Sequence, residues 1–281
     1  GVNGTTSRHS MRLVNSRFSV ERKFLWDESA ADLEDQTARP IEDHIEMGFS
    51  GRNGIQDFDD MIRRISQERY YKQLFTLAYG DSDISRKRIS EALAQFIRSI
   101  QSFDSRFDAG FRQVNDLSAP FPNFTDLENL GKSIFLLPNS GAGAIGAGCQ
   151  GCHFAPEFDI DPDSRNNGVI GVVGSASAVD IQVTRAPTLR DLFNRRGQLN
   201  GPLMHSGEFA TLESVIDHYN EIPDDPRNTN LDARLRVGGQ IQQLFLTADE
   251  KEAIVAFLKT LTGSSIYTNP KYADPFAGSG D

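Results

Sequence analysis

The chain has 281 residues, 38% of them hydrophobic and 24% charged, with a formal net charge of −10 at pH 7. That length allows two ordinary domains with real cores, and no window holds the run of about 18 apolar residues that a membrane span needs. The negative balance argues against nucleic acid, whose phosphates it would repel, and permits docking to a basic redox protein.

The chain opens Gly1-Val2-Asn3-Gly4-Thr5-Thr6, with neither an initiator Met nor a signal peptide. It reads as a turn-rich internal stretch of a longer protein. Ile89, Leu93, Phe96, Ile97 and Ile100 follow the i, i+4, i+7, i+8, i+11 spacing of an amphipathic helix. Thr125-Asp126-Leu127-Glu128 is a capping box, opening a helix with Leu127, Leu130, Ile134 and Phe135 on one side. The glycine-rich run Gly141 to Gly148 predicts a loop.

Beyond it, Val169 to Val173 is a short apolar stretch and the one strand candidate. Leu212, Val215, Ile216 and Tyr219 mark a short helix within Thr211 to Asn220, and Pro223 to Asn230 reads as a surface loop. A second capping box, Thr247-Ala248-Asp249-Glu250, starts the last helix, with Ile254, Val255, Phe257, Leu258 and Leu261 apolar and Gly263 as its stop. The pattern predicts an all-α protein of two cytochrome c-like helical domains with long loops. The boundary falls between Phe103 and Ser118, giving residues 1–105, incomplete at the N-terminus, and 106–281.

The only two cysteines stand in Cys149-Gln150-Gly151-Cys152-His153. Two thiols at this spacing, followed at once by histidine, fit covalent attachment of a c-type haem, with His153 as proximal iron ligand. A redox dithiol would not need the histidine, and a zinc site would want further Cys or His ligands. Because c-type haem is attached outside the cytoplasmic membrane, the motif predicts a periplasmic or exported protein.

An ordered set of segments surrounds that motif: Arg8-His9-Ser10, Phe24-Leu25-Trp26-Asp27, Leu33-Glu34-Asp35-Gln36 and Pro40 to Gly48, followed by Arg185 to Arg190, Met204 to Phe209 and Ala256 to Leu261. Together they resemble the bacterial dihaem cytochrome c peroxidase/MauG family over nearly the whole chain. The resemblance implies two c-haems, the N-terminal one reacting with peroxide and the C-terminal one handling electrons. Only the C-terminal attachment motif is in this sequence, and the first would lie just upstream of Gly1.

By the same resemblance, Glu46 is the acid/base of peroxide cleavage, a role a carboxyl group near the reacting oxygens can fill. Gln36 orients peroxide or water, and Trp26 relays electrons between the haems. On composition alone Glu46 and Gln36 read as solvated surface residues and Trp26 as core packing. His44 stands where the family often has proline, and Glu28-Ser29 where it has Gly-Arg.

Tyr219 occupies the sixth-ligand position of the C-terminal haem, filled by Met in the peroxidase branch and Tyr in the MauG branch. Met204 is the alternative ligand, since thioether and phenolate both bind haem iron, methionine raising its potential. Arg185 and Arg190 are candidate partners of the haem propionates. Calcium is implied through backbone carbonyls near Asn200 and Pro202, with His9 at a side-chain position where imidazole is a poor ligand. The expected partners are hydrogen peroxide and either a small redox protein (a cytochrome c or cupredoxin) or a protein side chain to be oxidised, and the resemblance allows a homodimer. The rival expectation is a single-haem electron carrier without peroxide chemistry.

Overall fold

The structure, a computed structural model, describes residues 4–139, 141, 145–160 and 162–275. The readings made on residues 1–3 and 142–144 lie outside these. Helices dominate: α1 (Leu33–Glu42), α2 (Phe58–Gln67), α3 (Arg69–Tyr79), α4 (Arg86–Ser99), α5 (Arg106–Val114), α6 (Asp126–Leu136), α7 (Leu212–Asn220), α8 (Ala248–Lys259) and the single turn α9 (Ser265–Thr268). Their starts are written in side chains. Asp32, Asp57, Ser85, Ser105, Thr125, Thr211 and Thr247 each accept a backbone N–H from the first turn of the helix they precede, satisfying donors that have no partner inside the helix. Both capping boxes expected from the sequence are closed reciprocally.

The all-α expectation needs amending by three two-stranded antiparallel hairpins among the described residues. β1 (His153–Phe154) pairs with β2 (Asp159–Ile160), β3 (Gly171–Val172) with β4 (Ser175–Val179), and β5 (Arg236–Val237) with β6 (Gln240–Ile241). Gly263 is not the stop of α8, which ends at Lys259, two residues earlier than its capping glycine would require. The Gly263 N–H donates instead to Asp191 Oδ1 (2.9 Å).

Two small apolar clusters join α1, α2, α3 and α4 through buried residues from Leu33 to Ile97. A larger one runs from Phe107 to Leu261. At its centre Phe107, Phe135, Phe158 and Phe257 are almost wholly buried. Their rings meet edge to face or tilted, with Phe107–Phe158 centroids 4.8 Å apart and Phe135–Phe257 5.4 Å apart, separations that favour aromatic pairs. α6 crosses α8 at this centre with Gly131 at the contact, where a β-carbon would collide with the Ala253 carbonyl. This crossing forms one wall of the site.

Candidate functional site

The attachment motif folds as a 3-10 turn over Cys149–Gly151, its Cys152 N–H donating to Cys149 O (3.2 Å). Side chains three apart eclipse in such a turn, so Cys149 and Cys152 present their thiols to one side, and both line one cavity of about 580 Å³. Burial, with Cys152 alongside, pushes the Cys149 thiol up to about 12. It is therefore a neutral thiol and not the activated thiolate of a redox dithiol. Among the described residues no group of three or more His, Cys, Asp or Glu side chains could hold a metal ion.

His153 follows at the start of β1 and lines the same cavity. Its Nδ1 is buried and lies toward the Pro187 carbonyl without closing a full hydrogen bond. Burial pulls the imidazole down to about 4, so the ring is neutral, the form that binds a metal. The walls are mostly aliphatic and aromatic, from Phe135 on α6, Leu212, Val215 and Ile216 on α7, and Ile254 and Leu258 on α8. A volume of this size with apolar walls, two thiols and a neutral imidazole fits a covalently held haem.

Tyr219 and Met204 also line this cavity. Tyr219 continues the α7 face as its period requires, and burial holds its phenol well above the usual range, opposed by a hydrogen bond from Asn167. Trp26 is buried on the cavity wall. Its Nε1–H donates to His9 O (2.7 Å), and its ring stands edge-on to His9 (5.6 Å) and His205 (6.2 Å). Arg185 borders the cavity, but its guanidinium turns away, donating to Ser19 Oγ (2.8 Å) and Lys23 O over the Phe24 ring. Arg190 does not line it. Wholly buried, it is bidentate to Asp108 (2.9 and 3.0 Å) and donates to the Ser102 and Pro156 carbonyls.

Gln36 and Glu46 stand elsewhere. Gln36, on α1, turns a buried and unpaired Oε1 toward a pocket of about 20 Å³ that it shares with Arg12, Asp159 and Arg185. Glu46 is exposed in the turn after α1, and its carboxyl is raised by partial burial and then by Asp43. The implied calcium donors do not form an oxygen cage. Asn200 O accepts from the Arg12 guanidinium (3.5 Å), the Asn200 amide donates to Asp191 O and Tyr267 Oη, and the His9 ring packs on Trp26. A cation facing that carbonyl does not suit calcium.

Sequence reasoning missed Asn167, whose amide meets both candidate sixth ligands, and Arg165 and Arg234 on the cavity rim. Arg234 left a local trace, because Asp232 two residues earlier takes its guanidinium (2.7 Å). Arg165 and Asn167 left none. They meet the cavity through the long loop between β2 and β3.

These features gather two thiols, a neutral imidazole, a phenol and a thioether around one apolar cavity that fits a c-type haem. The family described as di-haem cytochrome c peroxidase matches residues 1–116. The methylamine utilization protein MauG of Methylophilus methylotrophus is 30% identical over 271 residues, 93% of this chain and 70% of that protein. The cytochrome c551 peroxidase of Nitrosomonas europaea is 28% identical over 89% of this chain and 64% of its own length. A crystal structure of a MauG-like protein associated with microbial copper homeostasis superposes with a TM-score of 0.68 at 26% identity, covering 98% of this chain and 81% of that one. The diheme peroxidase BthA from Burkholderia thailandensis shares the fold, with a TM-score of 0.62 at 20% identity. The chain belongs to the di-haem cytochrome c peroxidase/MauG family, a family of haem-dependent peroxidase-type oxidoreductases. It spans 60 to 70% of the length of the first three of its curated relatives. No helix of the described residues is long and apolar enough to cross a membrane.

Proposed function

We propose that this chain is the larger part of a periplasmic or exported dihaem peroxidase of the MauG kind, dividing near residue 105 into a peroxidatic domain and a c-haem domain. The observation that carries the reading is the cavity that unites Cys149, Cys152, His153 and Tyr219 in a chain of this family. When bound, haem supplies the redox chemistry that splits peroxide and takes up electrons.

The chain's own residues do the rest. Cys149 and Cys152 would tether a haem, His153 would offer it a neutral imidazole, and Tyr219 would offer it a phenol oxygen. Glu46 moves the proton between the two peroxide oxygens, and a carboxyl raised above its usual range is suited to hold a proton and release it. Gln36 hydrogen-bonds peroxide or water. Trp26 passes electrons, its indole fixed by the bond to His9 O. Arg165, whose guanidinium donates to Asn230 Oδ1 (3.4 Å), is the rim cation best placed to meet a propionate. Electrons come from a small redox protein or from a protein side chain that is oxidised in the reaction.

The test is a pyridine haemochrome count on the full-length protein, read beside peroxide consumption. Two haems per chain with peroxide consumption are expected. One haem and no consumption would instead identify a single-haem electron carrier.

A further inference from the structure

Two segments offer a sixth ligand to the same cavity: α7 carries Tyr219, and the loop after Pro202 carries Met204. Both reach one donor. The Asn167 amide nitrogen lies 3.0 Å from Tyr219 Oη and 3.4 Å from Met204 Sδ. A carboxamide has two N–H groups, so one is available for each atom. Oxygen and sulfur are therefore held side by side, and any change at Asn167 acts on both.

Asn167 is itself pinned. Its Oδ1 accepts the Val169 N–H (3.1 Å), which leaves Nδ2 aimed at the ligands, and its carbonyl accepts from His218 Nε2 (2.9 Å). Gly168 makes the turn at φ +94°, where a β-carbon would strike Ile222. Met204 is also fixed by its backbone, at φ +59°, a left-handed conformation that a non-glycine residue keeps only when its surroundings impose it. A phenol oxygen bound to iron keeps a lone pair for the Asn167 N–H, so that bond survives ligation. The thioether is the weaker acceptor and lies farther from the amide nitrogen, so the donor pair favours the phenol oxygen.

We propose that Asn167 is a positioning residue that selects Tyr219 over Met204 as sixth ligand of the haem held by Cys149, Cys152 and His153. The inference rests on the reading of Tyr219 as a ligand. It makes the haem potential a property of a residue that never touches the iron, because methionine ligation raises that potential.

The experiment uses the full-length, haem-loaded protein and the variants Asn167→Asp, Asn167→Asp/Met204→Leu and Tyr219→Phe. Asn167→Asp keeps the acceptor for Val169 N–H and removes both donors. Three signals are read: the resonance Raman modes of iron-bound tyrosinate, the near-infrared sulfur-to-iron charge-transfer band, and the reduction potential of the haem. Asn167→Asp is expected to lose the tyrosinate modes, gain the sulfur band and shift the potential upward, and the double variant to show neither signal. Retention of tyrosinate modes and parental potential in a fully loaded Asn167→Asp protein overturns the inference. Should that variant not load haem, Asn167→Ala removes both donors without adding charge, with the same two outcomes. If Tyr219→Phe leaves the parental spectrum unchanged, the ligand reading itself fails and takes the inference with it. If Tyr219→Phe abolishes the tyrosinate modes while Asn167→Asp does not, only the selection by Asn167 fails.

Discussion

Charged residues around this fold divide by what answers them. Arg190 is buried against Asp108, two carbonyls and the rings of Phe103, Phe107 and Phe158. Breaking so buried a pair costs about 3–5 kcal/mol, so its work is to hold the core together. Glu46 has no such answer. Partial burial and the like charge of Asp43 raise its carboxyl. A raised pKa means that the carboxylate is lost as pH falls through a higher value than for an ordinary glutamate. If Glu46 is the acid/base, the acid limb of the kcat/KM profile for peroxide lies above the usual carboxylate range. Asp43→Asn should move that limb to lower pH, and only partly, because burial is the larger cause. The asparagine Oδ1 can still accept the Ile45 and Glu46 N–H groups that Asp43 now holds. Glu46→Gln should lower peroxide turnover by about 10²- to 10⁴-fold, the usual contribution of a positioned acid/base. Turnover within a few-fold of the parent would remove Glu46 from the mechanism.

Helix α6 meets α8 through Gly131, and this contact is the element-scale feature on which the cavity wall depends. With no side chain there, the two backbones approach until a β-carbon would overlap the Ala253 carbonyl and crowd Phe257. Gly131→Ala raises intrinsic helix propensity by about 1 kcal/mol, yet overpacking against backbone costs typically about 1–3 kcal/mol and displaces a wall of the site. Urea denaturation of the haem-loaded variant should show net destabilisation, and a gain in stability would sink this account of the crossing. The same elements show what can be read in a sequence. Thr125/Glu128 and Thr247/Glu250 act within one turn, so two helix starts were legible from four residues each. Helical period was legible in α4 as well, but not its outcome: Ile89 and Ile97 are buried while Leu93 and Phe96 lie 39% and 50% exposed. Periodicity reports a face, and tertiary packing decides how much of it is covered. The two-residue strands left too short a pattern, and α1, α2 and α3 open on Asp or Glu and not on the Thr-x-x-Glu box that marks α6 and α8. Pro40 inside α1 further masks that helix. At the site the five-residue motif was plain and the Tyr219 face visible. Asn167 joins Met204 and Tyr219 across 37 and 52 residues, a separation no local signal spans.

At the scale of the molecule, the formal charge of −10 bears on how electrons arrive. A protein donor must dock close enough for transfer, and in a pair of opposite net charge long-range attraction raises the encounter rate more than the final affinity. That attraction is screened over about 30 Å at 0.01 M ionic strength but over about 8 Å at 0.15 M. A basic small cytochrome c should therefore reduce the protein with a second-order rate constant that falls steeply as salt is raised through this range. An acidic cupredoxin should show the opposite trend, since salt relieves its repulsion. Stopped-flow reduction of the oxidised full-length protein by each donor measures both. A bound calcium ion would offset two negative charges, so its removal by chelation would steepen the salt dependence with a basic donor. Here the Arg12 guanidinium already faces the Asn200 carbonyl, so a calcium chelator should leave both salt profiles where they were. A basic donor whose rate does not respond to salt would mean that charge does not guide the encounter.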